Sequence, residues 1–263
     1  MLLENRIAVV IGGGQTPGQT IGNGRATAIA FAREGATVCV ADLDPASATE
    51  TVSMIEAEGH TAHAIGMDVC SEASVQAGID EAIERYGRID ILHNNVGVSI
   101  AAGDAPVEEI EMDNFDRLID INLRGMVLTS KHALPHMRRE KRGVIVNISS
   151  LAARKPYPLV GYKTTKSAVI ALTEQLAITN ARFGIRANVI LPGLMNTPMA
   201  IEARVAQDMP REAVIAARDK QVPLGRRMGS AWDVANAAVF LASDKAAYVT
   251  GVALPVDGGL SLT

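Results

Sequence analysis

Short apolar runs rich in β-branched residues alternate along this chain with longer stretches in which apolar positions recur at a helical period. The short runs are typical of strands buried on both faces, and the longer stretches are typical of amphipathic helices. The predicted strands cover residues 6–11, 37–41, 62–67, 89–94, 143–149, 186–191 and 253–255. The predicted helices cover residues 23–34, 46–58, 72–86, 113–139, 162–183 and 232–241.

The alternation of strand and helix predicts an α/β fold class. A strand, a crossover helix and a second parallel strand form a right-handed unit, and repetition of that unit gives a parallel sheet covered by helices on both faces. Neither a linker nor a low-complexity stretch nor an internal repeat divides residues 1–263. The sequence therefore predicts one domain.

Residues 194–228 depart from this alternation. They follow Pro192-Gly193 and place four methionines among charged residues. Long excursions within compact domains are often lids or binding loops, so this segment is predicted to be a substrate lid. A surface amphipathic helix with methionine as a gap-filler is the alternative interpretation.

Composition narrows the class of protein. The chain has 263 residues, of which 48% are apolar and 21% charged, as in ordinary globular proteins. A net charge of −4 argues against a nucleic-acid surface. Cys39 and Cys70 lie in apolar or strand-like settings and are predicted to be buried thiols without a disulfide. We find neither a signal peptide nor a membrane-spanning apolar run, and therefore expect a cytoplasmic protein without a membrane partner.

The strongest chemical signal is the spacing of Tyr162 and Lys166, which lie four residues apart and downstream of Ser150. A tyrosine hydroxyl ionises at about pH 10 in water and is a poor base at neutral pH. A lysine one helical turn along lies on the same face, and its positive charge lowers the pKa of the phenol. With Ser150 holding a substrate oxygen, this arrangement predicts proton transfer between an alcohol and a carbonyl, beside a hydride carrier.

Glycines at the first strand-to-helix junction predict a dinucleotide site. The first strand ends at Ile11-Gly12-Gly13-Gly14, and Gly22-Asn23-Gly24 opens the first helix. Glycine lets the backbone approach a pyrophosphate closely, and the helix N-terminus supplies N–H groups and a positive dipole end. A plain turn is the alternative, but a position between a strand and a helix is the context that a dinucleotide site requires.

The carboxyl ends of the following strands carry further candidate cofactor ligands. Asp42, followed by Leu43, ends the second strand, where a carboxylate accepts hydrogen bonds from the adenosine ribose and repels a 2′-phosphate. Because no arginine or lysine immediately precedes Gly22, NAD(H) is favoured over NADP(H). Asp68-Val69 is predicted to address the adenine edge, and Asn94-Asn95-Val96-Gly97 to lie beside the adenosine ribose. A simple strand-end turn is the alternative role of Asp42.

Together these residues resemble the classical short-chain dehydrogenase/reductase family over essentially the full length of the chain. The matching pieces are the glycine-rich loop, Asp68, Asn94-Asn95-Val96-Gly97, Asn122, Ser150, Tyr162-x-x-x-Lys166, Pro192-Gly193 and Thr197. The resemblance implies a single-domain, doubly wound Rossmann-like fold with a seven-stranded parallel sheet. It also implies assembly into a homotetramer or a homodimer.

The resemblance further implies a role for each matching residue. Tyr162 would be the catalytic acid/base, Ser150 would position the substrate oxygen, and Lys166 would bind the nicotinamide ribose and lower the pKa of the tyrosine. Asn122 would support a water chain to the lysine. The nicotinamide would be held by groups near Asn188, Pro192, Gly193 and Thr197. No metal is expected.

Three features depart from the family pattern. Gly12 and Gly22 are separated by an insertion that includes residues 15–20, which would either add contacts to the cofactor or loop into solvent. The distance from Ser150 to Tyr162 is one residue shorter than usual, which leaves Ser149 as the alternative serine. His93 stands where an aliphatic residue is usual, and we expect a strand-end residue there and not a catalyst.

These observations predict an NAD(H)-dependent oxidoreductase that interconverts a secondary alcohol and a ketone. One alternative is an NADPH-dependent 3-oxoacyl thioester reductase, against which Asp42 weighs; another is a non-catalytic dinucleotide-binding regulator, against which the complete catalytic set argues. The substrate is expected to contact residues 99–105, 151–161 and 194–228. Their mostly apolar character favours a medium-sized uncharged molecule, whereas an anionic group would instead be bound at the rim by Arg154, Lys155 or Arg204.

Overall fold

The computed structural model describes residues 1–205 and 209–263 and contains a parallel sheet of seven strands in the order β3-β2-β1-β4-β5-β6-β7. The strands are β1 (Ile7–Ile11), β2 (Thr37–Asp42), β3 (Ala62–Gly66), β4 (Ile91–Asn94), β5 (Gly143–Ile148), β6 (Ile185–Pro192) and β7 (Ala253–Val256). Each neighbouring pair is parallel. The sheet confirms the predicted Rossmann-like, doubly wound fold class.

Helices connect the strands and cover both faces of the sheet. They are α1 (Asn23–Arg33), α2 (Pro45–Ala57), α3 (Glu72–Tyr86), α4 (Met112–Ile119), α5 (Gly125–Glu140), α6 (Val160–Asn180), α7 (Pro198–Val205), α8 (Arg211–Asp219) and α9 (Ala231–Ala242). In the part of the chain that the structure describes, none of these helices has both the length and the apolar character that crossing a membrane requires.

Alternate side chains of the central strands divide between two cores. In β1, Ala8 and Val10 pack on the face covered by α1, α2 and α9, whereas Val9 and Ile11 pack on the face covered by α3, α5 and α6. All four side chains are buried, because a parallel strand covered on both sides has no solvent face. The same double coverage explains why the strands stand out in the sequence as continuous apolar runs.

The predicted helix over residues 113–139 is wrong as a single element. The segment folds as α4 and α5, joined by a π-helical turn at Asp120–Arg124. Such turns occur frequently at functional sites. This one places the fully buried side chain of Asn122 against α6 and the loop after β4. An uninterrupted α-helix over the same residues does not by itself require that contact.

Two of the helices lie within residues 194–228, where the sequence predicted a departure from the alternating pattern. Helices α7 and α8 enclose a small apolar cluster of their own, formed by Ile201, Val214 and Met228. Residues 206–208 fall within the predicted lid but lie outside the described residues. The two cysteines are free thiols, as predicted, but only Cys39 is buried, whereas Cys70 is half-buried.

A chain of four buried polar side chains crosses the centre of the sheet. The Thr129 hydroxyl donates to Asn94 Oδ1 (2.8 Å), Asn94 Nδ2 donates to Asn147 Oδ1 (2.9 Å), and Asn147 Nδ2 donates to Thr173 Oγ1 (2.9 Å). Each of the four residues is at most 1% exposed. These hydrogen bonds join α5, β4, β5 and α6 beneath the site described next, where buried polar groups without partners would be costly.

The direction of the chain connections reverses between β1 and β4, the two neighbouring strands at the centre of the sheet. The connections lead outward from this point towards β3 on one side and β7 on the other. In open parallel sheets, the crevice outside the carboxyl ends of the strands at such a point is where ligands bind. Gly12 and Asn95 directly follow these two strands, which puts the predicted cofactor residues in the expected place.

Candidate active site and cofactor cleft

Tyr162 and Lys166 occupy the first two turns of α6, as their spacing predicted. The Lys166 Nζ lies 5.7 Å from the centre of the Tyr162 ring, so the two side chains share one face of the helix. Lys166 is only 2% exposed, and its Nζ donates a hydrogen bond of 2.9 Å to the backbone oxygen of Ile148 at the end of β5. The ammonium group is therefore held between the sheet and the tyrosine.

The two serines after β5 have different surroundings. The Ser149 hydroxyl is buried and donates to the backbone oxygen of Lys166 (2.6 Å), which fixes α6 against the strand. The Ser150 hydroxyl accepts a hydrogen bond from Ala152 N–H (3.1 Å) and lies near the phenol, where its polar interaction lowers the pKa of Tyr162. The geometry favours Ser150 over Ser149 as the residue that contacts a substrate oxygen.

Burial dominates the proton affinity of both groups in the pair. The pKa of Tyr162 is raised to about 12, chiefly by removal from water; the hydrogen bond with Ser150 and the charge of Arg204 lower this pKa, whereas Tyr157 and Asp104 raise it. Burial also lowers the pKa of Lys166 to about 8. For Tyr162, desolvation disfavours the phenolate more than the neighbouring protein groups favour it, and the effect of Lys166 on the phenol stays a prediction.

Asn122 connects the loop after β4 to α6. Its Oδ1 accepts a hydrogen bond from Val98 N–H (2.7 Å), and its Nδ2 donates to Val98 O (2.9 Å) and to the Thr165 hydroxyl (3.2 Å). These hydrogen bonds hold the loop that contains Gly97 close to Lys166. The contact is so close that a Cβ atom at Gly97 would lie only 2.7 Å from Lys166 Nζ. Asn122 thus sets the space around the lysine.

Asp104 is a part of the site that the sequence did not reveal. Its Oδ1 accepts a hydrogen bond from Gly161 N–H and its Oδ2 one from Tyr162 N–H, both at 2.9 Å, so this carboxylate caps the N-terminus of α6. Its Oδ2 also accepts from the Ser99 hydroxyl (3.0 Å). The one available signal was a single acidic residue in the otherwise small and apolar stretch 100–107.

The glycines at the end of β1 allow two backbones to meet. Gly12 has a φ of +75°, and its carbonyl accepts a hydrogen bond from Asn95 Nδ2 (3.0 Å). A Cβ atom at Gly24 would lie 1.9 Å from that carbonyl oxygen, so only glycine fits there. Gly12 and Gly24 therefore bring the start of α1 into close contact with β1, as a dinucleotide cleft requires.

The insertion between the glycines folds back on the protein. Gln15 Oε1 accepts a hydrogen bond from Gly22 N–H (3.0 Å), and Gln15 N–H donates to the Ser47 hydroxyl (2.8 Å) on α2. Further along, Gln19 N–H donates to Glu202 of α7 (3.4 Å). The insertion therefore contacts residues 194–228, an outcome that neither sequence interpretation included.

Asp42 supports the inserted loop while facing the cleft. Its Oδ2 accepts a hydrogen bond from Gly14 N–H (2.9 Å) and its Oδ1 one from Asp44 N–H (3.1 Å); the neighbouring Leu43 is exposed. A carboxylate oxygen has two acceptor positions, so both oxygens retain capacity for ribose hydroxyls. The nearby Arg25 is buried and bound to α2: its Nε donates to the Thr51 hydroxyl (2.9 Å) and its Nη2 to Glu50 Oε2 (2.5 Å).

Other predicted cofactor residues lie along the same edge of the sheet, and some of their polar groups already form hydrogen bonds within the protein. Asp68 Oδ1 accepts a hydrogen bond from Cys70 N–H (2.9 Å), and Val69 is buried. After β6, Gly193 N–H donates to Val256 O (2.9 Å), and buried Thr197 directly precedes α7. Pro192 is the last residue of β6.

The side chain of Asn188 binds the backbone of the segment before β7. Asn188 Nδ2 donates to Val249 O (2.9 Å), and its Oδ1 accepts from Val252 N–H (3.1 Å). The Asn188 amide therefore fixes the segment that precedes β7 against strand β6. A buried amide in a strand is stabilised by such hydrogen bonds with the adjacent backbone.

The cleft fits a nicotinamide dinucleotide. Among the described residues, three buried polar side-chain atoms along it have no hydrogen-bond partner: Thr20 Oγ1, Asn23 Oδ1 and Asn196 Oδ1. They lie in the inserted loop, at the start of α1 and before α7. Buried polar atoms without partners are uncommon, and a polar ligand with several oxygens and hydroxyls would satisfy them. Together with the glycine contacts and Asp42, they match the requirements of a dinucleotide.

Comparison with known proteins identifies similar chains over nearly the whole length. A family profile described as enoyl-(acyl carrier protein) reductase matches residues 19–261. The 3beta-hydroxysteroid dehydrogenase 1 of Eggerthella lenta is 40% identical over 249 residues, which cover 93% of this chain and 92% of that protein. A crystal structure from Burkholderia xenovorans, described as a short-chain dehydrogenase/reductase, has a TM-score of 0.94 and 35% identity and covers 99% of this chain and 98% of its own.

A further similar structure contains ligands. It is a 7 alpha-hydroxysteroid dehydrogenase in complex with NADH and 7-oxo glycochenodeoxycholic acid. Its TM-score is 0.86 at 32% identity, and the alignment covers 98% of this chain and 94% of that one.

Proposed function

This chain belongs to the short-chain dehydrogenase/reductase family, and we propose that it interconverts a secondary alcohol and a ketone with NAD(H) as cofactor. The observation that carries the proposal is the placement of Tyr162, Lys166 and Ser150 together at the edge of the sheet where the glycine-rich cleft opens. A tyrosine with a buried ammonium group one turn away and a hydroxyl beside it is equipped to exchange a proton with a carbinol oxygen.

In the proposed reaction each residue has a distinct task. Ser150 donates a hydrogen bond to the substrate oxygen and orients it, and Tyr162 takes the proton of the hydroxyl as the carbonyl forms. When bound, an oxidised nicotinamide supplies the hydride acceptor and a positive charge that favours the tyrosinate. Lys166 holds the ribose and adds its own positive charge, while Asn122 keeps Gly97 and the lysine in register. Because the pKa of Tyr162 is raised to about 12 in the protein alone, the positive charge of the bound nicotinamide is the group that would favour loss of the phenol proton.

NAD(H) is proposed over NADP(H) because of the groups at the end of β2. The Asp42 carboxylate would repel a 2′-phosphate, and Arg25 is engaged with α2. The NADH complex of a similar dehydrogenase supports this choice. The same groups weigh against an NADPH-dependent 3-oxoacyl thioester reductase, which remains the second candidate because the matching family profile is described by an acyl carrier protein substrate.

We also propose that residues 194–228 act as the substrate lid of a single catalytic domain and that the chain assembles as a homotetramer, with a homodimer as the smaller alternative. Val127 on α5 and Ile178 on α6 are large apolar side chains exposed to solvent, 41% and 74% respectively. A four-helix interface formed by α5 and α6 of two subunits would cover these side chains. Light scattering on the purified protein gives the molar mass that tests this assembly.

Tyr162→Phe tests the proposed function. The variant should lose alcohol oxidation while binding NADH as the unchanged protein does, since it removes only the hydroxyl. Tyr248→Phe is the matched control, because Tyr248 is fully exposed. Oxidation of a panel of cyclic, aromatic, steroidal, polyol and hydroxyacyl alcohols is measured with NAD⁺ and with NADP⁺. Retained turnover in Tyr162→Phe would refute the assignment, and turnover with NADP⁺ alone would move the proposal to the reductase.

A further inference from the structure

Tyr157 is an aromatic neighbour of the candidate acid/base. Its ring centre lies 5.7 Å from that of Tyr162, and the two ring planes are inclined by 47°. Both residues are half-buried, so each keeps part of its surface accessible. A flat aromatic surface is therefore present directly beside the group that is proposed to exchange a proton with the substrate.

Tyr157 lies in the segment 151–159, which joins the two residues that are proposed to contact the substrate oxygen. The segment begins directly after Ser150 and runs to the start of α6, whose third residue is Tyr162. The side chains of Ser150 and Tyr162 also interact with each other, which brings the two ends of the segment together. A substrate oxygen bound at these ends is therefore close to the aromatic ring that the same segment carries.

Hydrogen bonds from α6 hold the first half of this segment. Lys163 Nζ donates to the backbone oxygens of Ala152 (3.1 Å) and Lys155 (2.8 Å). The Ser167 hydroxyl donates to the backbone oxygen of Ala153 (3.2 Å). Lys163 and Ser167 are four residues apart and lie on one face of the helix. The helix that carries the candidate acid/base thus also fixes the segment that carries Tyr157.

A second set of hydrogen bonds joins the segment to residues 260–263. Lys155 Nζ donates to the backbone oxygens of Leu260 (2.7 Å) and Thr263 (2.6 Å). Lys155 is one of the cations that the sequence offered for an anionic group of the substrate. In the structure it forms bonds within the protein and holds the backbone two residues before Tyr157.

The two neighbours of Tyr157 restrict its backbone. Pro156 and Pro158 each hold φ at about −65°, and a residue that precedes a proline, as Tyr157 does, is restricted to extended conformations. At the end of the segment, Val160 N–H donates to Ala105 O (3.0 Å). The aromatic ring is therefore held in position before a substrate binds, and a surface that is already ordered loses less entropy on binding.

A fixed aromatic face distinguishes substrates by the groups on the carbinol carbon. A substrate oxygen that is hydrogen-bonded to the phenol lies roughly 2.7 Å from the phenol oxygen, so the groups next to the carbinol carbon are the ones that reach Tyr157. A ring closed through that carbon presents a rigid apolar surface to the aromatic face. An open chain of the same carbon number must lose bond rotations to make the same contact.

We propose that Tyr157 is a specificity-determining residue that favours alicyclic secondary alcohols and ketones, whose ring packs on its aromatic face while the oxygen lies at Ser150 and Tyr162. This inference rests on the proposed function and names its substrate class. It narrows the expectation of a medium-sized uncharged substrate. It also assigns the selectivity to the aromatic ring of Tyr157 and not to its hydroxyl.

The test compares alcohols of equal carbon number that differ in ring closure. Cyclohexanol is compared with hexan-3-ol, and cycloheptanol with heptan-4-ol, at saturating NAD⁺. The unchanged enzyme should show a kcat/KM for the cyclic alcohol about tenfold above that for the open-chain alcohol, the scale of one aromatic contact and the apolar area that it buries. Tyr157→Ala should remove this preference through a higher KM for the cyclic alcohol, whereas Tyr157→Phe should keep it.

Tyr248→Ala is the matched control, since it removes an exposed tyrosine ring elsewhere on the protein. It should keep the preference for the cyclic alcohols. Tyr157→Leu, which retains apolar bulk without the aromatic face, replaces Tyr157→Ala if the alanine variant does not fold. Equal kcat/KM values for cyclic and open-chain alcohols in the unchanged enzyme, an unchanged preference in the folded variant, or loss of the preference in Tyr157→Phe would overturn the inference.

A binding measurement separates this inference from the proposed function. The tertiary alcohols 1-methylcyclohexanol and 2-methylhexan-2-ol have equal carbon number and no hydrogen on the carbinol carbon, so they cannot transfer a hydride. Their calorimetric binding to the NAD⁺-loaded enzyme therefore does not depend on turnover. Tighter binding of the cyclic alcohol that Tyr157→Ala abolishes supports the role of Tyr157 even if no alcohol is oxidised. Equal binding of the two alcohols overturns that role, whereas absence of turnover with every secondary alcohol counts against the proposed function alone.

Discussion

The carboxylate of Asp104 holds the backbone of Tyr162, with Oδ2 2.9 Å from the tyrosine nitrogen. The same side chain accepts hydrogen bonds from Gly161 N–H and from the Ser99 hydroxyl. A loop residue 58 positions earlier in the chain thus fixes the first turn of α6 and adds a negative charge next to the phenol. Position and proton affinity of the candidate acid/base are coupled through this one residue.

Asp104→Asn should shift the pH dependence of kcat/KM for alcohol oxidation to lower pH. The Asp104 charge raises the pKa of Tyr162, so its removal lowers that pKa and populates the tyrosinate at lower pH. The contributions of Ser150, Tyr157 and Arg204 remain. An asparagine oxygen still caps the helix, so we expect a loss of unfolding free energy of about 1 kcal/mol.

The measurements for Asp104→Asn are a pH–rate profile and a thermal unfolding curve. Asp113→Asn is the control, because Asp113 is an exposed residue of α4. A variant that binds NADH normally and keeps the original profile would contradict the electrostatic role of Asp104.

Gly97→Ala should impair catalysis through the lysine. The added Cβ would lie 2.7 Å from Lys166 Nζ and 3.2 Å from its Cε, and the lysine is buried and bound to Ile148 O. Displacement of a catalytic group by about 1 Å costs roughly 100-fold in rate, which is the loss of kcat that we expect. Gly66→Ala is the control, since its Cβ would meet only Pro45 Cγ, at 3.7 Å. Unchanged kcat in Gly97→Ala would show that the lysine has room to move.

His93→Leu should stabilise the protein, and more so in acid. His93 is fully buried, its two ring nitrogens have no partner among the described residues, and burial lowers its pKa to about 3. The unfolded histidine binds a proton below about pH 6.5, so the folded protein loses stability as the pH falls from there towards 3.

The size of this loss of stability follows from the difference between the pKa of His93 in the folded and in the unfolded protein. Between pH 7 and pH 5, His93 costs the unchanged protein roughly 2 kcal/mol of unfolding free energy that a leucine does not. Urea unfolding of both proteins at the two pH values measures the difference. The ring packs edge-on against Phe31, with the centres 5.8 Å apart, and a leucine conserves most of that apolar contact. An equal loss of stability in both proteins on acidification would show that His93 is not the group responsible.

Glu202→Gln should accelerate the release of NADH severalfold. Glu202 joins the inserted loop, through Gln19 N–H, to Arg211 of α8, so it ties together two segments that border the cofactor cleft. Glutamine keeps the shape of the side chain but removes the charge that holds Arg211. Stopped-flow fluorescence gives the dissociation rate, with the exposed Glu212→Gln on the same helix as control. Identical NADH dissociation rates for Glu202→Gln and Glu212→Gln would show that the contacts of Glu202 do not retain the cofactor.

The sequence predicted those parts of the molecule whose structure depends on residues close together in the chain. The central strands of the sheet are covered on both faces, so they stand out as apolar runs, and the helices between them follow from the crossovers. The relation between Tyr162 and Lys166 is fixed by one turn of a single helix, which spacing alone reveals. The glycines at β1 were predictable because close backbone approach excludes every other residue.

The parts that escaped prediction depend on contacts distant in sequence. The bond from Asp104 to Tyr162 joins a loop to a helix, and nothing within either segment signals it. The π-helical turn at Asn122 interrupts a stretch whose apolar period continues through it. The pKa of Tyr162 reflects its removal from water, which only the assembled fold determines. The contact of the inserted loop with Glu202 likewise requires β6 and α7 to be in place.

The row of hydrogen bonds through Thr129, Asn94, Asn147 and Thr173 constrains how this sequence can change over generations. An apolar residue at Asn147 alone leaves the buried Asn94 Nδ2 without a partner, at a cost of about 1–3 kcal/mol, whereas replacing all four by apolar residues of similar shape is nearly neutral. Every route that changes one position at a time passes through less stable proteins. We therefore expect the four positions to be inherited as a set, so that descendants of this chain keep all of them or none.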